Sequence, residues 1–416
     1  MKIAIIGTGI SGLTAAYLLN KNHEITVFEK NDYVGGHTHT HELEYNDKSW
    51  AVDSGFIVYN EQTYPNFINL LNQIGVKRQI TRMGFSVTSS KHNLEYAGHS
   101  VNGLFAQRSN LFKPSFYQML GGMLRFNNEA KNDLKSLSPK KTLGEYLIDN
   151  RYPDEFIDYY IIPIGSAIWS TVPKDIMDIP AIFFIRFFEN HGLLQILNRP
   201  KWWVIKGGSK TYVEKMIINF KQNIRLSTPV KKIMRNKNNV AIYFGGNGQE
   251  IELFDAVILA THSNQALALL GNPTKAEKEI LGSIPYQKNE ALLHYDHSIL
   301  PQRKLAWSSW NYFLDQNDRK PVVLTYNMNI LQSLLCKRIF CVTLNSEDLI
   351  NPDKVIKRIT YEHPLFTLDG INAQQRKDEI SGLNNTYYCG SYWHNGFHED
   401  GVVSALEVCS HFGETL

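Results

Sequence analysis

Three groups of residues in this chain carry chemistry by type and spacing. Gly7, Gly9 and Gly12 stand at GxGxxG spacing, with Ser11 inside the motif. Glu29 follows roughly 20 residues after the first glycine, where an acid holds an adenosine ribose. Such a turn cradles a pyrophosphate: Gly7 permits the tight bend, Gly9 lets backbone approach the phosphates, and Gly12 lets helix and strand pack closely. Near the other end of the chain, His398-Glu399-Asp400-Gly401 sets an imidazole beside two carboxyl groups. That set suits proton transfer near neutral pH. His37, His39 and His41 alternate, so a strand would put them on one face, a geometry open to a metal ion. They directly follow the pair Gly35-Gly36, which favours a nucleotide-binding loop, and no metal is expected.

The elements that must position these groups follow from the pattern. Lys2 to Ile6 reads as a buried parallel strand running into the glycine turn, and Ser11 to Asn20 as the helix whose N-terminal N–H groups face the phosphates. Glu24 to Phe28 is a second strand, ending at Glu29-Lys30. A plain NAD unit has no need of Gly35-Gly36, whereas a long flavin dinucleotide must be passed along a second glycine loop. Thr63 to Ile74 reads as an amphipathic helix starting after Tyr64-Pro65. From about Arg82 to Pro200, short helical stretches such as Phe116 to Phe126 and Thr142 to Asp149 read as a mainly helical insertion. Within it, Ala181 to Leu197 is apolar on most faces and is followed by Lys201-Trp202-Trp203. Three readings stand: a buried core helix, a surface helix dipping into lipid with Arg199, Lys201 and both tryptophans at headgroup level, or the wall of an apolar tunnel. Gly207-Gly208 then precedes a helix from Tyr212, and Val240 to Phe244 with Glu250 to Leu253 reads as a hairpin before the buried strand at Phe254 to Ala260. Leu292–Asp296, Trp307–Phe313, Val322–Asn327 and Phe340–Leu344 read as an antiparallel sheet with an aromatic face. A last strand from Thr386 leads into a C-terminal helix, with Asp400 as its N-cap and Gly401 and Val402 offering N–H groups.

The order GxGxxG, Glu, Gly-Gly resembles the flavin-containing amine oxidase and phytoene desaturase superfamily. The resemblance implies an α/β fold: a Rossmann-like FAD-binding lobe of the two-dinucleotide-binding type (1–80, 201–262 and 380–416), interleaved with an α+β substrate lobe (81–200 and 263–379). It implies FAD, here expected to be non-covalent, although Cys389 lies just before Gly390, in the region where covalent attachment is usual. By the same resemblance His37 stands where the amine oxidases have Arg. Asp53 and Gly55 match an Asp-x-Gly segment that approaches the flavin. Val230, after Pro229, pairs with the adenine, and backbone at Gly390 passes close to the cofactor. The helix start at Asp400, Gly401 and Val402 stabilises charge at the flavin N1/C2=O edge. Two positions depart from the amine oxidases: His398 replaces a substrate-cage aromatic, and Asn289 replaces a lysine near N5, with Lys288 one residue off on the other strand face. Both weaken an amine substrate. Thr261–Leu267, Trp307–Tyr312, Tyr361–Phe366 and Gly396–Gly401 are also similar to a bacterial flavoprotein group. That group resembles the N-terminal flavin domain of plant cyclopropane-fatty-acid synthases and often neighbours lipid methyltransferases.

The bulk numbers exclude other classes. A net charge of +3 with no basic run argues against nucleic acid. The four cysteines show no metal-ligand spacing, which fits reduced thiols in the cytoplasm, and no window reaches the roughly 18 apolar residues of a spanning helix. The expectation is an FAD-dependent oxidoreductase acting on an apolar substrate, a fatty acyl chain, with His398 as acid/base, Glu399 beside it, and a peripheral membrane contact. The alternatives are an amine oxidase on a small amine or polyamine, a non-catalytic flavoprotein partner of a lipid methyltransferase, and, more weakly, a carotenoid-type desaturase.

Overall fold

The structure, a computed structural model, describes residues 1–195, 200–314 and 322–416. Strand Lys2–Ile6 pairs in parallel on both sides, with Glu24–Phe28 and Ala256–Leu259. Ile224–Arg225 and Thr386–Tyr388 complete a five-stranded parallel sheet in which Lys2–Ile6 is central. A sheet covered on both faces needs near-continuous apolar strands, and the runs IAII, ITVF and AVIL supply them. Successive side chains point to opposite faces. Ile3 and Ile5 therefore pack under helices Ile10–Leu19 and His398–Ser410, while Ala4 and Ile6 pack under the antiparallel strands Val230–Arg235 and Val240–Phe244. This sheet draws its strands from 1–80, 201–262 and 380–416.

A second sheet of seven strands draws only on 81–200 and 263–379. Its spine is the long pair Tyr286–His294 and Val355–Pro364. Its far edge is the hairpin Phe85–Ser89 and Leu94–Ala97, joined to the rest by parallel pairing with Trp310–Phe313. That hairpin corrects the expectation of a helical insertion beginning at Arg82. The run FSVTS has the aromatic and β-branched character of a strand, and Asn93 takes a left-handed conformation in the turn. Helices follow it: Pro114–Asp133, Leu143–Asp149, Ile162–Trp169 and Ala181–Asn190 share an aromatic-rich core. The helix Ala181–Asn190 is a core helix through Phe184, Ile185 and Phe188, and it stops before Gly192, whose φ is +66°. Arg199, expected at a lipid headgroup level, lies outside the described residues. Among the described residues no helix is long and apolar enough to cross a membrane.

One buried ion pair ties the helix Lys275–Gly282 to the nucleotide lobe. Glu277, on the helix Lys275–Gly282, is bidentate with Arg235 of the strand below. It also accepts from the Tyr388 hydroxyl (2.7 Å) and the Thr274 N–H (2.7 Å). Burial pushes its carboxyl pKa up, but Arg235, Tyr388 and Thr274 outweigh this and hold it below the ordinary glutamate value. Glu277→Ala strands a buried guanidinium and should destabilise the fold by about 3–5 kcal/mol, read from urea unfolding at pH 7. Because the folded-state pKa is depressed, this contribution is present above the unfolded glutamate pKa and fades as pH falls below it. Wild type and variant should therefore converge in acid, and a pH-independent gap would contradict the assignment.

Candidate active site

The two lobes enclose a cavity of about 1440 Å³ lined from both sides. That exceeds the roughly 300–1,000 Å³ of a pocket for one drug-sized ligand. Its nucleotide end is built on the glycine turn. Gly7 has φ +106°, and a Cβ on Gly12 would sit 2.0 Å from the Gly7 carbonyl, so the helix can approach the turn only with glycine there. Gly9 caps the helix Ile10–Leu19 without any side-chain cap, and the space beside its Cα is open. Unsatisfied N–H groups at a helix start that opens into a cavity suit a pyrophosphate. Gly36 closes over the same turn: at φ +58°, a Cβ there would lie 3.1 Å from the Gly9 Cα. Ser11, Lys30, Gly35, His37 and Gly55 line this part of the cavity, as do Val230, at the start of its strand, and Gly390.

Glu29 is fixed in place. Its carboxylate accepts from the Thr8 hydroxyl (2.6 Å), the Thr8 N–H (3.0 Å) and the Asn31 N–H (2.9 Å). The Thr8 hydroxyl oxygen accepts in turn from the Gly35 N–H (3.2 Å). Thr8, the variable residue between Gly7 and Gly9, thus joins the ribose acid to both glycine loops. Nothing in the motif spacing marks it.

The middle of the cavity holds a group of imidazoles and phenols. The His37 ring lies 5.0 Å from Tyr361, 5.6 Å from His363 and 5.8 Å from His262. His262 stacks on Tyr286 at 4.6 Å, with Nδ1 3.5 Å from Glu362. Burial, then the neighbouring imidazoles, pushes His262 and His363 down to about 3, and burial lowers His37, so the rings are neutral. The other two alternating histidines turn elsewhere: His41 Nε2 meets the Ser54 hydroxyl at 2.8 Å, and His39 stacks between Tyr33 and His41. Asn289 lies beneath the wall, hydrogen-bonded to His363 (3.0 Å) and Asn345 (2.8 Å), while Lys288 lines the cavity. Sequence reasoning singles out His37 and Asn289 but assigns no role to His262, which follows the strand Ala256–Leu259, or to His363, in the strand Val355–Pro364.

His398 is the first residue of the C-terminal helix and also faces the cavity. Its ring stacks on Phe56 at 3.5 Å, nearly parallel. Nε2 is 2.9 Å from the Tyr212 hydroxyl and 3.1 Å from the Thr38 hydroxyl, and those two hydroxyls are 2.5 Å apart. Burial holds the imidazole pKa well below its ordinary value. Tyr212 comes from the helix Lys210–Met216 that follows Gly207-Gly208, and Thr38 from the loop after Gly36.

Several expected site residues are placed differently. The helix begins three residues early, with Phe397 as N-cap. Asp400 is its N3 residue, reaching back to the Phe397 N–H (2.8 Å). The Gly401 N–H is already bonded to the Phe397 carbonyl (3.1 Å), and Val402 is buried in the core. The free N–H groups therefore belong to His398, Glu399 and Asp400 rather than to Gly401 and Val402. Gly401 instead permits a helix crossing: a Cβ there would sit 2.7 Å from Ile10 and 2.9 Å from the Ser11 hydroxyl. Glu399 turns away from the cavity and caps the helix Pro65–Gln73, accepting from the Asn66 N–H (2.9 Å), the Asn66 side chain (2.7 Å) and the Phe67 N–H (2.8 Å). Asp53 also lies behind the wall. Its carboxyl is held by Ser209 backbone N–H and hydroxyl, the Thr40 hydroxyl and Gln332, and burial raises it to about 7. Cys389 is fully buried and off the cavity, its thiol pushed up to about 12.

A phosphate cradle on a parallel sheet, opening into a cavity shared with an antiparallel lobe, defines the class of FAD-dependent oxidoreductases with two interleaved lobes. The chain belongs to the flavin containing amine oxidoreductase family, whose model matches residues 10–302, and FAD is its cofactor. It is 23% identical over 399 residues to an L-amino-acid oxidase of Protobothrops flavoviridis, covering 86% of this chain and 75% of that protein. It spans between 46% and 59% of four further L-amino-acid oxidases. A fatty acid isomerase from P. acnes has the same fold, with TM-score 0.72, 16% identity, and 99% of this chain and 98% of that one covered. Putrescine oxidase bound to putrescine is similar, with TM-score 0.70, 15% identity, and 99% of each chain covered.

Two outcomes follow from the geometry. Gly36→Val should leave the fold intact by circular dichroism yet purify without yellow chromophore, because its side chain strains the loop against Gly9; full flavin occupancy would contradict the cradle. Glu399→Gln should lower stability by about 1–2 kcal/mol, as loss of a helix cap does, while flavin content and single-turnover flavin reduction stay unchanged.

Proposed function

We propose that the protein oxidises an apolar substrate, a fatty acyl chain, with hydride passing to FAD. The observation that carries this reading is the cavity wall beyond the glycine loops. There Met119, Met123, Ile164, Trp169 and Phe187 of the helical insertion face Trp310 and Tyr326 of the sheet. Among the described residues Lys30, Lys201 and Lys288 line the cavity, but no aspartate or arginine does. Its two carboxylates are Glu29, already held by Thr8, and Glu362, beside His262. A charged ammonium brought out of water needs an ionic or aromatic partner. A methylene chain needs only apolar area, worth about 0.8 kcal/mol per buried CH2. The fatty acid isomerase with this fold is a precedent by name for such a chain, at an identity that speaks to fold alone. The competing reading, a small amine, draws on family membership and on the rings of Tyr361 and Tyr286.

Bound FAD supplies the hydride acceptor, its ring N5. For each C–C bond desaturated, one carbon loses hydride and its neighbour loses a proton that needs a base. His398 suits that role, because burial keeps the ring neutral and Phe56 fixes its plane. In the tautomer that donates from Nε2 to Thr38 or Tyr212, the lone pair is on Nδ1. Oxygen or another acceptor then takes the two electrons.

Anaerobic mixing with a panel of fatty acids, phospholipids and amines separates the readings. Flavin bleaching by acyl compounds supports the proposal; bleaching by amines alone would replace it. His398→Ala should retain flavin and slow single-turnover bleaching by about 10²-fold or more, the scale of lost acid–base catalysis. Tyr212→Phe should change the pH profile of reduction more than its maximum.

A further inference from the structure

We infer that residues 101–128 form a membrane-docking face that seats the cavity's mouth on an anionic phospholipid surface. The inference deepens the acyl-chain reading and rests on it for the identity of what enters. Phe112 is 86% exposed and Val101 74%, with Leu111, Tyr117 and Leu124 each close to half exposed. These side chains come from consecutive elements, the turn of helix at Val101–Leu104, the 3₁₀ segment Arg108–Phe112 and the helix Pro114–Asp133. The Tyr117 hydroxyl donates to the Leu111 carbonyl (3.0 Å), which binds the last two together. Singly scattered apolar side chains are ordinary on a surface, whereas five on adjoining turns are not.

Two observations choose the occupant. The first is charge. Residues 101–128 contain Arg108, Lys113 and Arg125 and no carboxylate, and among the described residues only Arg125 of the three is paired, with Glu129 at 2.9 Å, although the whole chain is nearly balanced at 43 cations to 40 anions. The Arg108 guanidinium donates to the Phe105 carbonyl and the Asn102 side chain, with no ion-pair partner among the described residues, and shares the 3₁₀ segment with the protruding Phe112. Apolar tips beside two cations without a carboxylate partner among the described residues, Arg108 and Lys113, are complementary to anionic headgroups over an acyl layer. The second is continuity with the cavity. Leu104, Leu120 and Leu124 line it. Leu124 is at once half exposed and part of the wall, so the apolar surface runs from the outside of the helix Pro114–Asp133 into the tunnel. Ile80 and Lys201, across the opening, also line the cavity and reach solvent. A chain drawn from a bilayer seated on this face would enter without crossing water.

The test uses the flavin-loaded full chain and sedimentation with vesicles of phosphatidylcholine, alone or with phosphatidylglycerol. Wild type should cosediment with the phosphatidylglycerol vesicles, less so as salt rises. Phe112→Asp and Val101→Asp should each weaken binding by about tenfold or more, and Arg108→Glu with Lys113→Glu should abolish the preference for anionic vesicles. All four positions are on the surface, so melting temperature and flavin content should not change. Absence of vesicle binding, or binding indifferent to these substitutions, would overturn the inference. So would a concentration-dependent dimer that Phe112→Asp dissolves, since a second copy would then be the occupant. The two readings fail separately. Vesicle binding without flavin bleaching by any lipid sinks the acyl substrate and leaves the docking face; bleaching by dispersed fatty acid without vesicle binding does the reverse.

Discussion

The structure depends on one close contact between helices from opposite ends of the chain. The helix Ile10–Leu19 starts at the phosphate cradle, and the helix His398–Ser410 starts beside the cavity's middle. They can lie against each other only because Gly401 has no side chain where Ile10 and Ser11 pass. That crossing sets the relative position of Gly9 and His398. It also points Glu399 at the helix Pro65–Gln73 and leaves Phe56 to lie flat on the His398 ring. A larger residue at 401 would separate the cradle from the imidazole, so one missing Cβ couples the cofactor end of the site to its reacting end.

Around that contact, polar groups behind the wall do structural work and leave few carboxylates in the cavity itself. Asp53, Glu277 and Glu399 are each buried and each occupied by several donors. Buried carboxylates with satisfied lone pairs fix geometry, whereas the same groups left open to the cavity would invite water and cations. The imidazoles that do face inward are kept neutral by burial and by one another. The result is a wall that can accept a proton yet repel no apolar ligand.

What was legible in the sequence was what local spacing determines. The first two strands, the three glycines, Glu29, the pair Gly35-Gly36 and the strand at Ala256–Leu259 follow from short-range rules of turn geometry and apolar runs. The illegible parts are those that depend on contacts hundreds of residues apart. Asp400 has the composition of an N-cap, but Phe397 takes that place because the chain enters from Gly396 with φ +90° and Asp400 can then reach back from N3. Glu399 and Asp53 look like site acids in one dimension; only the folded chain shows that Asn66, Phe67 and Ser209 claim them. The Phe85–Ser89 hairpin was lost to a helical reading because its partner strand, Trp310–Phe313, lies more than 200 residues away. His262 and His363 stand in runs that carry the narrower resemblance, but nothing in their spacing sets them beside His37: His262 follows the strand Ala256–Leu259 and His363 lies in the strand Val355–Pro364 of the other lobe.

The division between the lobes then has a physical sense. The parallel sheet ends in backbone N–H groups and glycines, which recognise a charged, invariant cofactor through geometry and dipoles. The antiparallel sheet and the helices over it present side chains, which set the shape and polarity seen by whatever lies beyond the flavin. A family that shares the first surface can therefore diverge at the second without disturbing cofactor binding. His398 and Phe56 both come from the nucleotide lobe, and Phe56 lies flat on the imidazole and fills the space facing it. With no aspartate or arginine among the described cavity-lining residues, the apolar wall is the feature with the most area to offer. Affinity for a long neutral chain grows with each methylene it covers, while affinity for a small cation would have to come from groups already engaged elsewhere.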